Sequence, residues 1–214
     1  TSQELYEDLL SVVHRFGARP GSSGRNMIVA HSMGCGFALR VVAHAPPDQF
    51  QALVLLATPD AVPAAASGLL FRLPLWILER LQPTLSASFE GLALHADTRS
   101  QDAPPELRRV VLLSRAISGS NEMHMCQAYY RQLEFPDSRH LELLRTRTLV
   151  LHGEGDGLVE PAASERLLNC ITGATVHRVV LPKCSHQLMQ EKPDEVNAAI
   201  AGFLERAPLA EPAL

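Results

Sequence analysis

Met27-Ile28-Val29-Ala30-His31-Ser32-Met33-Gly34-Cys35-Gly36 decides how the rest of this chain is read. Met27 to Ala30 form a short apolar run, the pattern of a strand buried in a parallel sheet. From Gly34 to Ala45 small and apolar residues recur at helical spacing until Pro46-Pro47 stops them. Ser32 therefore falls on a tight turn from strand to helix, which lifts its hydroxyl above the sheet. Small neighbours, Ala30 and Gly34, are expected there because a bulky side chain would collide with the adjoining backbone. The helix that follows presents free N–H groups at its N-terminus, where they favour developing negative charge. The N–H of Met33 is the natural donor to such a charge. The competing reading of Ser32 is an ordinary helix cap, a common use of serine at this position.

The same alternation continues outward. Leu53–Ala57 reads as a second buried strand closed by Thr58-Pro59, Thr148–His152 as a third closed by Gly153, and Thr175–Leu181 as a fourth ending at Pro182. Helices are predicted over 3–16 (Leu5, Leu9, Val12, Val13 and Phe16 on one face), over Ser164–Ile171 after Pro161, and over Asp194–Leu204. Gly17 and Arg19-Pro20-Gly21-Ser22-Ser23-Gly24 end the first helix in a loop. Strands alternating with helices predict an α/β fold, an open and mainly parallel sheet flanked by helices. Residues 61–145 carry helical patterns and no strand, so they are read as a helical insertion over the carboxyl ends of the strands. The organisation is then a core of 1–60 and 146–206, a cap of 61–145, and a Pro-rich tail of 207–214 expected to fray.

Composition narrows the function classes. With 46% hydrophobic and 20% charged residues among 214, the chain has the make-up of one globular domain able to bury a sizeable core. Its net charge of −4 and the lack of a basic stripe argue against nucleic-acid binding. Cys35, Cys126, Cys170 and Cys184 are scattered without a C-x-x-C pair, which supports neither a metal site nor a disulfide framework. Free thiols point to a reducing compartment such as the cytoplasm, and Cys184 is read as a half-buried thiol. The apolar stretch Leu69–Leu81 is too short to span a bilayer and is broken by Arg72, Pro74, Glu79 and Arg80. Packing inside the cap is the favoured reading, and contact with a lipid surface is the alternative. Met123, Met125, Tyr129 and Tyr130 suit an apolar acyl pocket and ordinary cap packing equally.

A serine hydroxyl is a poor nucleophile without a base, and the base needs an orienting carboxylate. His152-Gly153-Glu154-Gly155-Asp156 follows the third strand and Lys183-Cys184-Ser185-His186 follows the fourth, so Ser32, Asp156 and His186 share one rim of the sheet. Glu154 and Asp60 compete with Asp156 for the acid, and His177 competes with His186 but lies inside a strand. His31 is read as a packing residue. Gly153-x-Gly155-x-Gly157 lacks the Lys-Ser/Thr ending of a phosphate loop and is read as the turn presenting Asp156.

Ala30-His31-Ser32-Met33-Gly34-Cys35-Gly36, Leu149 to Asp156, and Ser185-His186 followed by Lys192-Pro193-Asp194-Glu195-Val196 together resemble an α/β-hydrolase of the abhydrolase-domain type with a helical cap. The resemblance spans about Leu5 to Leu204 and implies Ser32 as nucleophile, Asp156 as acid and His186 as base, in the chain order of that fold. Residues 61–145 would correspond to the cap that shapes the acyl pocket. Ala30 stands where the family usually has its first glycine. Some lipid-handling relatives carry an acyltransferase signature with aspartate five positions after the histidine; here that residue is Glu191, so transacylation is not expected. The family also has early strands and a His-Gly oxyanion loop ahead of the first helix. This chain opens directly into that helix, Thr1-Ser2-Gln3-Glu4 without Met, so the expectation is a partial sequence whose first strand presents an apolar edge.

The function implied is a serine hydrolase acting on small-molecule carboxylic esters, lipid-like ones included, through an acyl-enzyme and without cofactor or metal. Its rival is a truncated, inactive hydrolase-fold protein with a binding role only.

Overall fold

The structure, a computed structural model, describes residues 1–18, 26–46, 48–62 and 69–206. The predicted loop over 19–24, Pro47 and the tail from 207 lie outside the described residues. Within them β1 (Met27–His31), β2 (Ala52–Leu56), β3 (Thr148–Gly153) and β4 (Val176–Leu181) form one parallel sheet in that spatial order.

The layering follows from the two-residue period of β2. Leu53 and Leu55 point to one face, Ala52, Val54 and Leu56 to the other, and all five are buried. The first face packs on α1 (Ser2–Phe16), α2 (Gly34–Ala43) and α8 (Pro161–Cys170) through Tyr6, Cys35, Leu39, Val42 and Leu167. The second packs on α9 (Leu188–Glu191) and α10 (Pro193–Glu205) through Leu188, Val196 and Phe203. Each leucine buried in this way contributes about 1.5–3 kcal/mol relative to leaving it in water. The sheet is thus held between two helical layers, and its carboxyl rim is left for loops.

Helix starts differ from the sequence reading for identifiable reasons. Thr1 caps α1 in a capping box with Glu4, a T-x-x-E signal that the hydrophobic spacing did not carry. Pro161 and Pro193 open α8 and α10 rather than preceding them, because a proline lacks only an N–H that the first turn leaves unpaired. The short helix α9 was not anticipated.

The stretch between β2 and β3 holds no strand among its described residues. It contains a 3₁₀ turn at Leu70–Arg72, then α3 (Leu75–Ala93), α4 (Ala96–Arg99), α5 (Pro105–Ser120), α6 (Met123–Arg131) and α7 (Ser138–Glu142). Phe71, Leu78 and Met123 form its small core, and Tyr130 stacks on Phe71 with ring centroids 4.3 Å apart. Met123 and Tyr130 therefore serve cap packing, while Met125 faces solvent. The apolar stretch from Leu69 divides in the same way: Phe71 and Leu78 turn inward, whereas Leu69 and Trp76 are 77% and 67% exposed. The helix α3 also runs on through Pro83. No described helix is long and apolar enough to cross a membrane.

At the edge of the sheet, β1 pairs only with β2 among the described residues, and Met27 and Val29 are exposed. A groove of about 420 Å³ lies along this edge, between β1, α1 and α2.

Candidate active site

Three loops converge on the carboxyl rim, one each after β1, β3 and β4. Ser32 sits at the first with φ of 53°, in the left-handed region that costs a non-glycine residue about 1–2 kcal/mol. Its N–H donates to Leu56 O at 2.8 Å, extending the β1–β2 ladder by one residue and fixing the turn. The glycines that follow this turn differ in the room around them. A Cβ on Gly34 would meet nothing within 4 Å, because Gly34 faces the open groove beside β1. Crowding instead falls at Gly36, where a Cβ would lie 3.1 Å from the Phe135 ring.

The side chains singled out from sequence form a continuous hydrogen-bonded chain. Ser32 Oγ is 2.8 Å from His186 Nε2, and His186 Nδ1 is 2.8 Å from Asp156 Oδ2. Asp156 Oδ1 accepts the N–H groups of Leu158 and Val159, each at 2.9 Å. A carboxylate receiving these donors fixes the proton on Nδ1 and leaves the Nε2 lone pair for the Ser32 hydroxyl. Burial alone would push the Asp156 carboxyl up, but its polar contacts with His152 and His186, and the Val159 N–H, outweigh burial and draw it down to about 2. Met33 lies at the head of α2 in helical conformation, and its N–H donates to no group among the described residues.

The competing candidates lie elsewhere. Asp60 is held by Arg166, Glu154 is exposed, and His177 packs edge-on against Phe203 within β4. Cys184 is fully buried rather than half-buried, donating to Leu181 O while burial pushes its thiol up to about 12. Among the described residues no group of three or more His, Cys, Asp or Glu is arranged to hold a metal ion.

The three glycines of the loop after β3, Gly153, Gly155 and Gly157, mark close approaches. A Cβ at Gly153 would lie 2.3 Å from Ser185 O, at Gly155 2.9 Å from the His95 ring, and at Gly157 3.1 Å from Leu92. They let the loop after β3 nest against both the loop after β4 and the end of α3. Ser185 Oγ reaches Leu92 O and Gly155 O at 2.9 Å, and the Gln187 N–H donates to Ala93 O at 3.2 Å.

Two histidines acquire roles that residue order did not reveal. His31 Nε2 lies 2.9 Å from His186 O, so His31 is a hydrogen-bonding partner of the loop after β4 and more than a packing residue. Burial first, then the closeness of the His186 ring, push His31 down to about 4, so at neutral pH it is uncharged and donates from Nε2. His152 is wholly buried, with Nε2 2.9 Å from Val159 O and 3.3 Å from Asp156 Oδ2, and its Nδ1 has no partner among the described residues. The carbonyl is the nearer acceptor and takes the bond, while the ring backs the carboxylate. Only its place four residues before Asp156 hinted at this contact.

A serine on a strand-to-helix elbow, a parallel sheet between helical layers and a helical insertion after β2 define the α/β-hydrolase class. Residues 1–193 match the family described as Serine aminopeptidase, S33; the chain belongs to that family and is a serine-hydrolase-type enzyme. A sequence search among curated proteins finds no match. Among solved structures, the α/β hydrolase MGS-M2 from a Medee basin deep-sea metagenome library superposes with a TM-score of 0.74 at 18% identity, over 100% of this chain and 75% of that one. An esterase from Exiguobacterium antarcticum gives 0.73 at 14% identity, over 95% and 74%. A malate-bound thermophilic esterase from Thermogutta terrifontis gives 0.72 at 23%, over 94% and 70%. Identities this low speak for the shared fold.

Proposed function

We propose that this protein is a carboxylic-ester hydrolase working through an acyl-enzyme on Ser32. The observation that carries the proposal is the unbroken hydrogen-bonded run from Ser32 Oγ through His186 to Asp156 Oδ2. Ser32 Oγ attacks the acyl carbonyl carbon as its proton passes to His186 Nε2, and Asp156 stabilises the resulting imidazolium. The negative charge on the carbonyl oxygen falls beside the Met33 N–H at the head of α2, which serves as an oxyanion donor. Collapse expels the alcohol, which takes the proton from Nε2. Water then attacks the acyl-enzyme with His186 as base, and the acid leaves. The helices between β2 and β3 act as the cap, and the acyl group of a small or lipid-like ester lies beneath them.

The family description favours a second reading, hydrolysis of aminoacyl amides. Both use the same three residues and differ in the leaving group. Comparing nitrophenyl esters of increasing acyl length with aminoacyl nitroanilides separates them. Turnover of the esters with little of the anilides is expected; the reverse preference would overturn the ester assignment, and turnover of neither would favour a binding role.

A further inference from the structure

Glu191 is a buried carboxylate that the proposed chemistry does not use. It ends α9, five residues after His186. Its Oε2 accepts the backbone N–H of Ser185 at 2.6 Å. Its Oε1 accepts the backbone N–H of His95 at 2.7 Å and the hydroxyl of Thr98 at 2.6 Å. The neighbouring Lys192 ammonium pairs with Glu195 instead. Among the described residues three donors meet this carboxylate, a group costly to bury without hydrogen bonds.

The donors come from two bodies. Ser185 immediately precedes the base, whereas His95 and Thr98 belong to the start of α4 in the helical region between β2 and β3. A carboxylate is planar and rigid, so shifting the donors on one oxygen re-aims the other. The carbonyls of Leu92 and Ala93 cross the same boundary, receiving Gly157 N–H, Ser185 Oγ and Gln187 N–H. Those bonds also hold the seam closed, with Leu92 O receiving two of them and Ser185 Oγ lying 2.9 Å from Gly155 O as well. Glu191 differs in that one carboxylate accepts a backbone N–H from each side, Ser185 on one oxygen and His95 on the other.

We infer that Glu191 is a positioning residue coupling the cap to the catalytic base, so that a displaced cap also draws His186 away from Ser32. The inference rests on the triad reading above and extends it to specificity. A substrate that fits poorly under the cap loses rate at the chemical step as well as binding, because the base is no longer held in line.

The test uses Glu191→Gln, Thr98→Val and the double variant. Gln has one acceptor and turns an amino group toward a donor; Val at position 98 removes only the cap-side hydroxyl and touches none of the three triad residues. Two readouts are needed: hydrogen exchange of the Ser185 and His95 amides by NMR, and the rate of fluorophosphonate labelling per active site. Thr98→Val should speed exchange at both amides and slow labelling, each by about tenfold, the scale of losing one charge-assisted bond. Adding it to Glu191→Gln should change little further. Faster exchange at His95 alone, with wild-type exchange at Ser185 and wild-type labelling, would overturn the coupling. If Glu191→Gln does not fold, the Thr98→Val result decides. If the wild type itself does not label, the proposed function fails, and the exchange comparison still judges the coupling.

Discussion

His31 Nε2 lies 2.9 Å from the backbone carbonyl of His186, so the residue before the proposed nucleophile holds the backbone that carries the proposed base. The two rings stand 4.8 Å apart, near enough that a charge on one opposes a charge on the other. A neutral His31 is therefore part of the resting site.

That neutrality has a pH signature. Burial draws His31 from its ordinary 6.5 to about 4, so between those values the unfolded chain binds a proton that the folded one refuses. Stability should accordingly fall as pH drops from about 6.5 to about 4, by at most about 3 kcal/mol from this residue. His31→Gln keeps a donor toward His186 O and removes the titration. Urea denaturation from pH 7 to 4 should then show a flatter acid side, by close to one proton. An unchanged slope would mean that another group titrates.

Asp156 and Asp60 are separable by substitution. Asp156→Asn should lower turnover by roughly 10⁴, the loss seen when a triad aspartate gives up its charge and its histidine tautomer. Asp60→Asn breaks a surface pair with Arg166 and should leave turnover near the wild-type value. Steady-state rates on a nitrophenyl ester check both, and a large loss in Asp60→Asn alone would reassign the acid.

Gly153 and Gly34 should respond oppositely to alanine. At Gly153 the new Cβ would press on backbone oxygens of Ser185 and Cys184 at 2.3 and 2.8 Å, forcing the acid and base loops apart. Destabilisation of about 1–3 kcal/mol, as for other overpacked sites, is expected together with lost turnover. Gly34→Ala fills open space and should leave the denaturation midpoint near wild type. Equal damage from both would contradict the packing described for the two loops.

The fold was legible because its central strands are apolar throughout. Leu53–Leu56 and Leu149–Leu151 are buried on both faces, and a strand of that kind announces itself without alternation. That Ser32, Asp156 and His186 would meet was legible because parallel topology puts every post-strand loop on one rim. What stayed hidden depends on contacts across the chain. Nothing local marks Glu191 as the partner of His95, or His31 as the partner of a carbonyl 155 residues away. The open space beside Gly34 was likewise invisible, because it depends on what lies across the chain from α2.

That groove and edge carry their own consequence. Val29 is 46% exposed on a strand whose outer N–H and C=O groups lack partners among the described residues. Such an edge is a template for pairing with another strand. Val29→Lys should therefore reduce concentration-dependent light scattering without altering the melting temperature appreciably. Identical scattering in both proteins would show that the edge is not used.

The central claim is that His186 and Asp156 activate Ser32 as a nucleophile. Its most direct measurement is covalent labelling with a fluorophosphonate followed by mass-spectrometric mapping of the modified residue. The account predicts one adduct per chain, on Ser32, absent in Ser32→Ala and much slower in His186→Ala. An adduct on another residue, or equal labelling of wild type and Ser32→Ala, would contradict it.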